Sequence, residues 1–173
     1  MDLRDRYVIT PKGSSGTLWV HLSWEGKKPG FPHLLPDGKD YGEVIVEQGL
    51  NALPEDLWLE PWRSGRLVDW LWSGLSERVF SQRMVDVLTA CGVNEMEVRP
   101  LTIRRKRSPD IEGYSIARFP GEGERVGYFP PSNPSAWSLI VAEDIAKSLA
   151  ENKLTGFTIQ PAQQAWDETY GKE

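Results

Sequence analysis

The chain has 173 residues, 39% hydrophobic and 26% charged, with a formal net charge of −5. This describes one ordinary globular domain with a core of its own, and the acidic balance argues against nonspecific binding to nucleic acid. The single cysteine, Cys91, excludes an internal disulfide and suits a reducing cytoplasm, while the longest apolar run, LVDWLW, is too short to span a membrane.

The start, MDLRDRYVIT, carries charge where a signal peptide needs an apolar core. Residues 6–10, RYVIT, and 17–24, TLWVHLSW, predict an N-terminal antiparallel hairpin around PKGSSG. In the second strand Leu18, Val20 and Leu22 alternate with Trp19, His21 and Ser23. Residues 26–42 are rich in glycine and proline and predict a long irregular loop. EVIV at 43–46 reads as a short strand, and NALPEDLWLEPW as an irregular crossing packed onto the core. LVDWLW at 67–72 fits a buried strand or one helical turn. GYSIARF at 113–119 and VGYF at 126–129 read as strands joined hairpin-fashion through GEGER. PPSNPS at 130–135 is a rigid link, and the tail QQAWDETYGKE fits either a short helix docked through Trp166 or a frayed end.

One stretch is written twice. VFSQRMVDVLTACGVNEMEVRP at 79–100, shifted by 61 positions without a gap, falls on IVAEDIAKSLAENKLTGFTIQP at 140–161. The identities are Leu88/Leu149 and Pro100/Pro161, but Val79/Ile140, Phe80/Val141, Met84/Ile145, Val93/Leu154, Met96/Phe157 and Val98/Ile159 are apolar in both copies. Each copy reads as strand, amphipathic helix, strand. Ser81 caps the first helix. Ala142 cannot cap the second, where Glu143 and Asp144 favour the exposed amides of the first turn instead. Gly92 and Asn152 suit the left-handed end of a helix. The expected fold is therefore α+β: a single domain, a mixed sheet with two related strand–helix–strand units (79–101 and 139–162) and the N-terminal hairpin. Within residues 1–173 this gives a β/loop region at 1–66, a duplicated core at 67–162 and a tail at 163–173.

Motifs of catalysis are missing. His21 and His33 lie far from Cys91, and no zinc spacing occurs, so no metal is expected. No nucleophile elbow is present, and GEG at 121–123 falls in a turn rather than between a strand and a helix. Neither catalytic residues nor a cofactor are expected. Charge patterning is more informative. Residues 37–60 hold Asp37, Asp40, Glu43, Glu47, Glu55, Asp56 and Glu60 against one base, Lys39, a net −6 from seven acids minus one base. With Tyr41 and Trp58 they form a candidate surface for a basic partner, with charge steering the encounter and aromatics burying on contact; a solvated, solubilising loop face is the plainer reading. Trp58, Trp62, Trp70 and Trp72 crowd together, and core packing is expected for Trp70 and Trp72. RRKR at 104–107 could grip an anion, and protective charge on an edge strand is a sufficient reading of it.

From residue 67 onward the pattern resembles the eleventh immunity family of bacterial polymorphic toxin systems, formerly a domain of unknown function. LVDWLW, VFSQRMVDVLTACGVNEMEVRPL, GYSIARF and LIVAEDIAKSLAENKLTGFTIQP match in order the family's "pDfl", "lvSerl…L…gv…f.Pv", "gpYy" and "livSerlkeaLeeaglkGlrFep". Ala142 stands where the family has serine, and RRKRSPD interrupts the middle connection. The resemblance implies a non-catalytic protein that occludes the active site or substrate groove of a cognate toxin. The acidic segment suits a basic toxin such as a nuclease, and the composition leads us to expect a cytoplasmic protein without direct contact to nucleic acid or membrane. A regulatory or scaffold domain that binds another protein is the alternative, and an enzyme using carboxylates of the loop at 26–42 ranks last.

Overall fold

The computed structural model describes residues 2–30, 33–74, 77–121, 123–131, 133 and 136–171; parts of the 26–42 loop and of the GEGER and PPSNPS connections lie outside them. The doubled stretch is doubled in space. The first copy contains strand β5 (Arg78–Ser81), helix α2 (Gln82–Ala90) and strand β6 (Glu97–Ile103); the second contains β9 (Ser138–Ala142), α3 (Glu143–Glu151) and β10 (Phe157–Pro161). In neither do the two strands touch. Strand β7 (Ile111–Arg118) lies antiparallel between β5 and β6, and strand β1 (Arg6–Pro11) lies antiparallel between β9 and β10. Each unit is thus a split β-α-β with one foreign strand inserted.

The registers agree residue for residue. Val79 faces Ile116 and Val98 faces Ala117; 61 positions on, Ile140 faces Val8 and Ile159 faces Ile9. So β1 fills in the second unit the place that β7 fills in the first, and the start of the chain completes its last unit. Outside β5 lies β4 (Trp70–Leu71), and outside β9 lies β8 (Val126–Phe129). The backbone ties correspond too. Ser81 N donates to Asp69 O at 2.8 Å, and Ala142 N donates to Arg125 O at 3.0 Å.

The units sit in different sheets. One is four-stranded and antiparallel, in the order β10-β1-β9-β8. The other adds β2 (Trp19–Trp24) and β3 (Leu57–Arg63) to make a six-stranded mixed sheet, β2-β3-β6-β7-β5-β4. It curls until its edges meet, with Trp19 bridging Trp72 and Val20 N donating to Trp72 O at 3.0 Å. Val20, Leu22, Leu59, Val79, Ile103 and Ile116 fill its inner side. Phe80, Met84, Leu88 and Trp70 meet Ile9, Val141, Ile145 and Leu149 where the two units face each other. Helix α4 (Ala162–Tyr170) covers the far side of the smaller sheet through Ala162, Ala165 and Trp166, so the tail is a docked helix.

The α+β single domain and its two related units are as the sequence predicts, with several local corrections. β1 and β2 form but enter different sheets, so there is no N-terminal hairpin; β7 and β8 part in the same way. EVIV belongs to helix α1 (Tyr41–Gln48), not to a strand. Asp40 accepts hydrogen bonds from Gly42 N at 2.7 Å and Glu43 N at 3.2 Å, and Tyr41, Val44 and Ile45 bury one helical face. The cap and the i, i+3, i+4 spacing override the strand preference of valine and isoleucine. The crossing NALPEDLWLEPW is a 3-10 turn (Leu50–Ala52) followed by β3. LVDWLW carries the short strand β4. RRKR follows β6, an interior strand, so it protects no sheet edge. At the end of α3 the left-handed residue is Lys153 (φ 53°), while Asn152 stays at −76°.

Candidate protein-docking face

Strands β2 and β3 alternate. Val20, Leu22, Leu57 and Leu59 point into the curled sheet, which sends Trp19, His21, Trp58, Glu60 and Trp62 to the other side. On that side the smaller sheet packs over Trp70 of β4, Phe80 of β5 and Ala117 of β7. It stops short of β2 and β3, leaving an open sheet face beside the contact between the units.

Tryptophans from four segments pave that opening. The ring centroids of Trp62 and Trp19 are 5.1 Å apart, those of Trp19 and Trp72 are 6.1 Å apart, and those of Trp72 and Trp137 are 4.7 Å apart and edge-on. Trp62 is 51% and Trp137 48% exposed, so the row is open at both ends. The rings between them are held firmly. Trp19 Nε1 donates to Ser14 O at 3.1 Å, and the Arg63 guanidinium stacks on the Trp19 ring at 4.6 Å. Trp72 lies against Gly13, where a Cβ would stand 3.2 Å from the ring. Large aromatic surfaces already fixed in place lose little freedom on binding, which favours association.

Towards the other end of β3 the face becomes polar. Glu60 accepts from Ser23 Oγ at 2.9 Å and lies 3.7 Å from His21 Nε2. Burial and the charge of Lys27 lower the His21 pKa, so the imidazole is neutral at pH 7. Trp58 is covered by the Arg104 guanidinium at 4.1 Å. Beneath this face the sheet is closed by a buried acid. Glu77 accepts from Tyr41 Oη at 3.1 Å to each oxygen and from Leu22 N at 3.3 Å. Burial raises its pKa to about 7.

The nine residues predicted from the acidic segment do not form one surface. Tyr41 is only 1% exposed and lies in the core with its hydroxyl on Glu77, so no partner reaches it. Asp40 is the α1 cap, and Glu43 and Glu47 are exposed along that helix. Asp37 and Glu55 share the rim of a groove of about 450 Å³ floored by Leu35, Val44 and Leu53, and Asp56 is exposed nearby in sequence. Trp58 and Glu60 point away from that helix, on the outer side of β3. Trp70 is core as expected, but Trp72 is only partly buried and belongs to the exposed row. The sequence does carry one signal for this face, because the alternation of β2 sets Trp19 and His21 opposite the apolar residues. It carries none for the meeting of Trp19 with Trp72 and Trp137, which depends on the closure of the sheet.

Among the described residues no cluster of three or more histidine, cysteine or acidic side chains could hold a metal ion, and no helix is long and apolar enough to cross a membrane. The fold and this face define an α+β domain with a preformed aromatic surface. No known protein family matches the chain, and no curated protein does.

Proposed function

We propose that this protein is an immunity-type inhibitor that binds a cognate toxin in the cytoplasm and blocks its active site or substrate groove by occlusion. The observation that carries the reading is the row Trp62–Trp19–Trp72–Trp137, half-exposed at both ends and fixed in the middle. Tryptophans that are immobilised yet open to solvent are the residues that most often dominate protein–protein binding energy. The resemblance of residues 67–162 to an immunity family supplies the kind of partner, and occlusion needs no catalytic group from the inhibitor.

The test asks whether a neighbouring gene encodes a secreted toxin and co-expresses any such toxin with this chain. The wild-type chain should protect cells from that toxin, and the double substitution Trp62→Ala with Trp137→Ala should abolish protection while the protein stays folded. Full protection by the double variant would remove the tryptophan face from the reading. A second reading uses the groove between Asp37 and Glu55. Its rim carries Asp37 and Glu55, with Lys39 3.6 Å from Asp37. With Glu43 and Glu47 along the neighbouring helix the region stays acidic, which suits a basic toxin such as a nuclease. In that case neutralising Asp37, Glu43, Glu47 and Glu55 together weakens binding and flattens its salt dependence, whereas the tryptophan substitutions do neither.

A further inference from the structure

Where the tryptophan row passes under the smaller sheet, a narrow cleft of about 10 Å³ opens between Pro11, Trp70, Trp72 and Trp137, with Arg78 at its floor. Arg78 belongs to β5, and alternation sends its side chain to the side facing the second unit. Its sequence neighbour Glu77 also borders the cleft, but its carboxylate lies towards the curled sheet, where Tyr41 and Leu22 engage it. Arg78 is 5% exposed as a residue. One Nη donates to Ala136 O, and the plane lies over the Tyr128 ring at 5.4 Å. The Nε–H has no hydrogen-bond partner. Among the described residues no carboxylate pairs with it. The nearby acid Glu97 is taken by Arg118 at 2.5 Å.

A buried guanidinium with no counter-ion is costly, and native structures pair such charges. Building this one into the mouth of an exposed tryptophan row points to a counter-ion that arrives from outside. We propose that the cleft between Trp72 and Trp137 receives a carboxylate side chain of the partner protein, an aspartate or glutamate, onto Arg78. This rests on the protein-docking reading above and specifies its chemistry. The open volume is near the lower limit for one water-sized group, so a single carboxylate oxygen is the most the cleft takes as it stands. The planar fork of arginine suits a carboxylate, and the flanking indoles exclude competing water. Arg63, stacked on Trp19 in the same row, adds positive charge to the approach.

The test needs no toxin. Sodium acetate is titrated into the isotopically labelled protein against sodium chloride of equal ionic strength, following the Arg78 Nε–H and the Trp72 and Trp137 indole N–H signals by NMR. The expected result is saturable shifts with acetate alone, lost or weakened at least tenfold in Arg78→Met. Trp137→Ala, at a half-exposed position, weakens them severalfold with the Arg78 signal still present, which separates the effect from misfolding. Acetate shifts no different from those of chloride, or shifts that survive in a folded Arg78→Met, would overturn the proposal. In the second arm Arg78→Met lowers toxin affinity at least tenfold. Saturable acetate binding in a chain without affinity for the toxin would sink the immunity reading alone, and unchanged toxin affinity in Arg78→Met would sink this inference alone.

Discussion

Glu77 gives the sharpest quantitative prediction. Its carboxylate replaces a missing strand partner at the closure of the six-stranded sheet, accepting from Leu22 N and Tyr41 Oη. Full burial raises its pKa from the ordinary 4.5 to about 7, because losing water penalises the charged form more than these hydrogen bonds favour it. The folded protein therefore holds a proton on Glu77 that the unfolded chain has released. Stability is greatest at and below pH 4.5 and falls as pH rises through 7. That interval is 2.5 pH units, and at about 1.36 kcal/mol each the loss is about 3 kcal/mol. Glu77→Gln keeps the shape and cannot ionise, so it should remove this loss. Urea denaturation of both proteins from pH 4.5 to 8 measures it. The variant should approach the wild type at pH 4.5 and exceed it by about 3 kcal/mol at pH 8, because the raised pKa already nets the carboxylate's hydrogen bonds against its desolvation. The lowered pKa of His21 acts in the opposite sense, destabilising as pH falls below 6.5, but it is common to both proteins and cancels in the difference. A difference that stays flat across this range, or that favours the wild type at pH 8, would refute the reasoning.

Other predictions test the joints between the units. Asp69→Ala should cost about 3 kcal/mol in denaturant melts, because its buried carboxylate accepts from Ser81 Oγ at 2.6 Å and Thr155 N at 2.9 Å and leaves them unsatisfied when removed. Gly156→Ala should cost at least about 2 kcal/mol: its φ is 98° and a Cβ there would overlap the Trp70 carbonyl. Gly92→Ala, at φ 81° with nothing within 4 Å, should cost only about 1 kcal/mol. Lys153→Gly should stabilise the protein by about 0.5–1 kcal/mol, since Lys153 holds φ 53° at the position matching Gly92; an unchanged or lower midpoint would contradict that account of the α3 end.

What the sequence reveals and what it hides have physical reasons. The duplicated core is legible because each helix buries a face at 3.6-residue spacing and each exit strand alternates, and those patterns are local. Met84, Val85 and Leu88, and their counterparts Ile145, Ala146 and Leu149, are buried as that spacing demands. The pairing of strands is not local. Nothing near RYVIT indicates that Val8 faces Ile140 and Gln160, more than 130 residues away, so the nearest apolar strand looks like its partner. EVIV misleads because its composition favours a strand, while the deciding feature, the Asp40 cap, sits three residues earlier. The candidate docking face is hidden for the same reason as the strand pairing. Trp19, Trp62, Trp72 and Trp137 become neighbours only when the sheet curls shut, whereas the acids of residues 37–60 are conspicuous because they are contiguous in sequence. Folding separates those acids, with Trp58 and Glu60 on one side of β3 and the α1 acids on the other.

The most direct measurement is calorimetric titration of a candidate toxin, identified by co-expression, with the wild-type chain and with the Trp62→Ala/Trp137→Ala variant, after matching thermal midpoints. The account predicts a tight complex weakened by at least about 4 kcal/mol in the variant, the combined scale of two hot-spot tryptophans. Affinity in the variant within about 0.5 kcal/mol of the wild type would contradict the claim that this face is the docking surface.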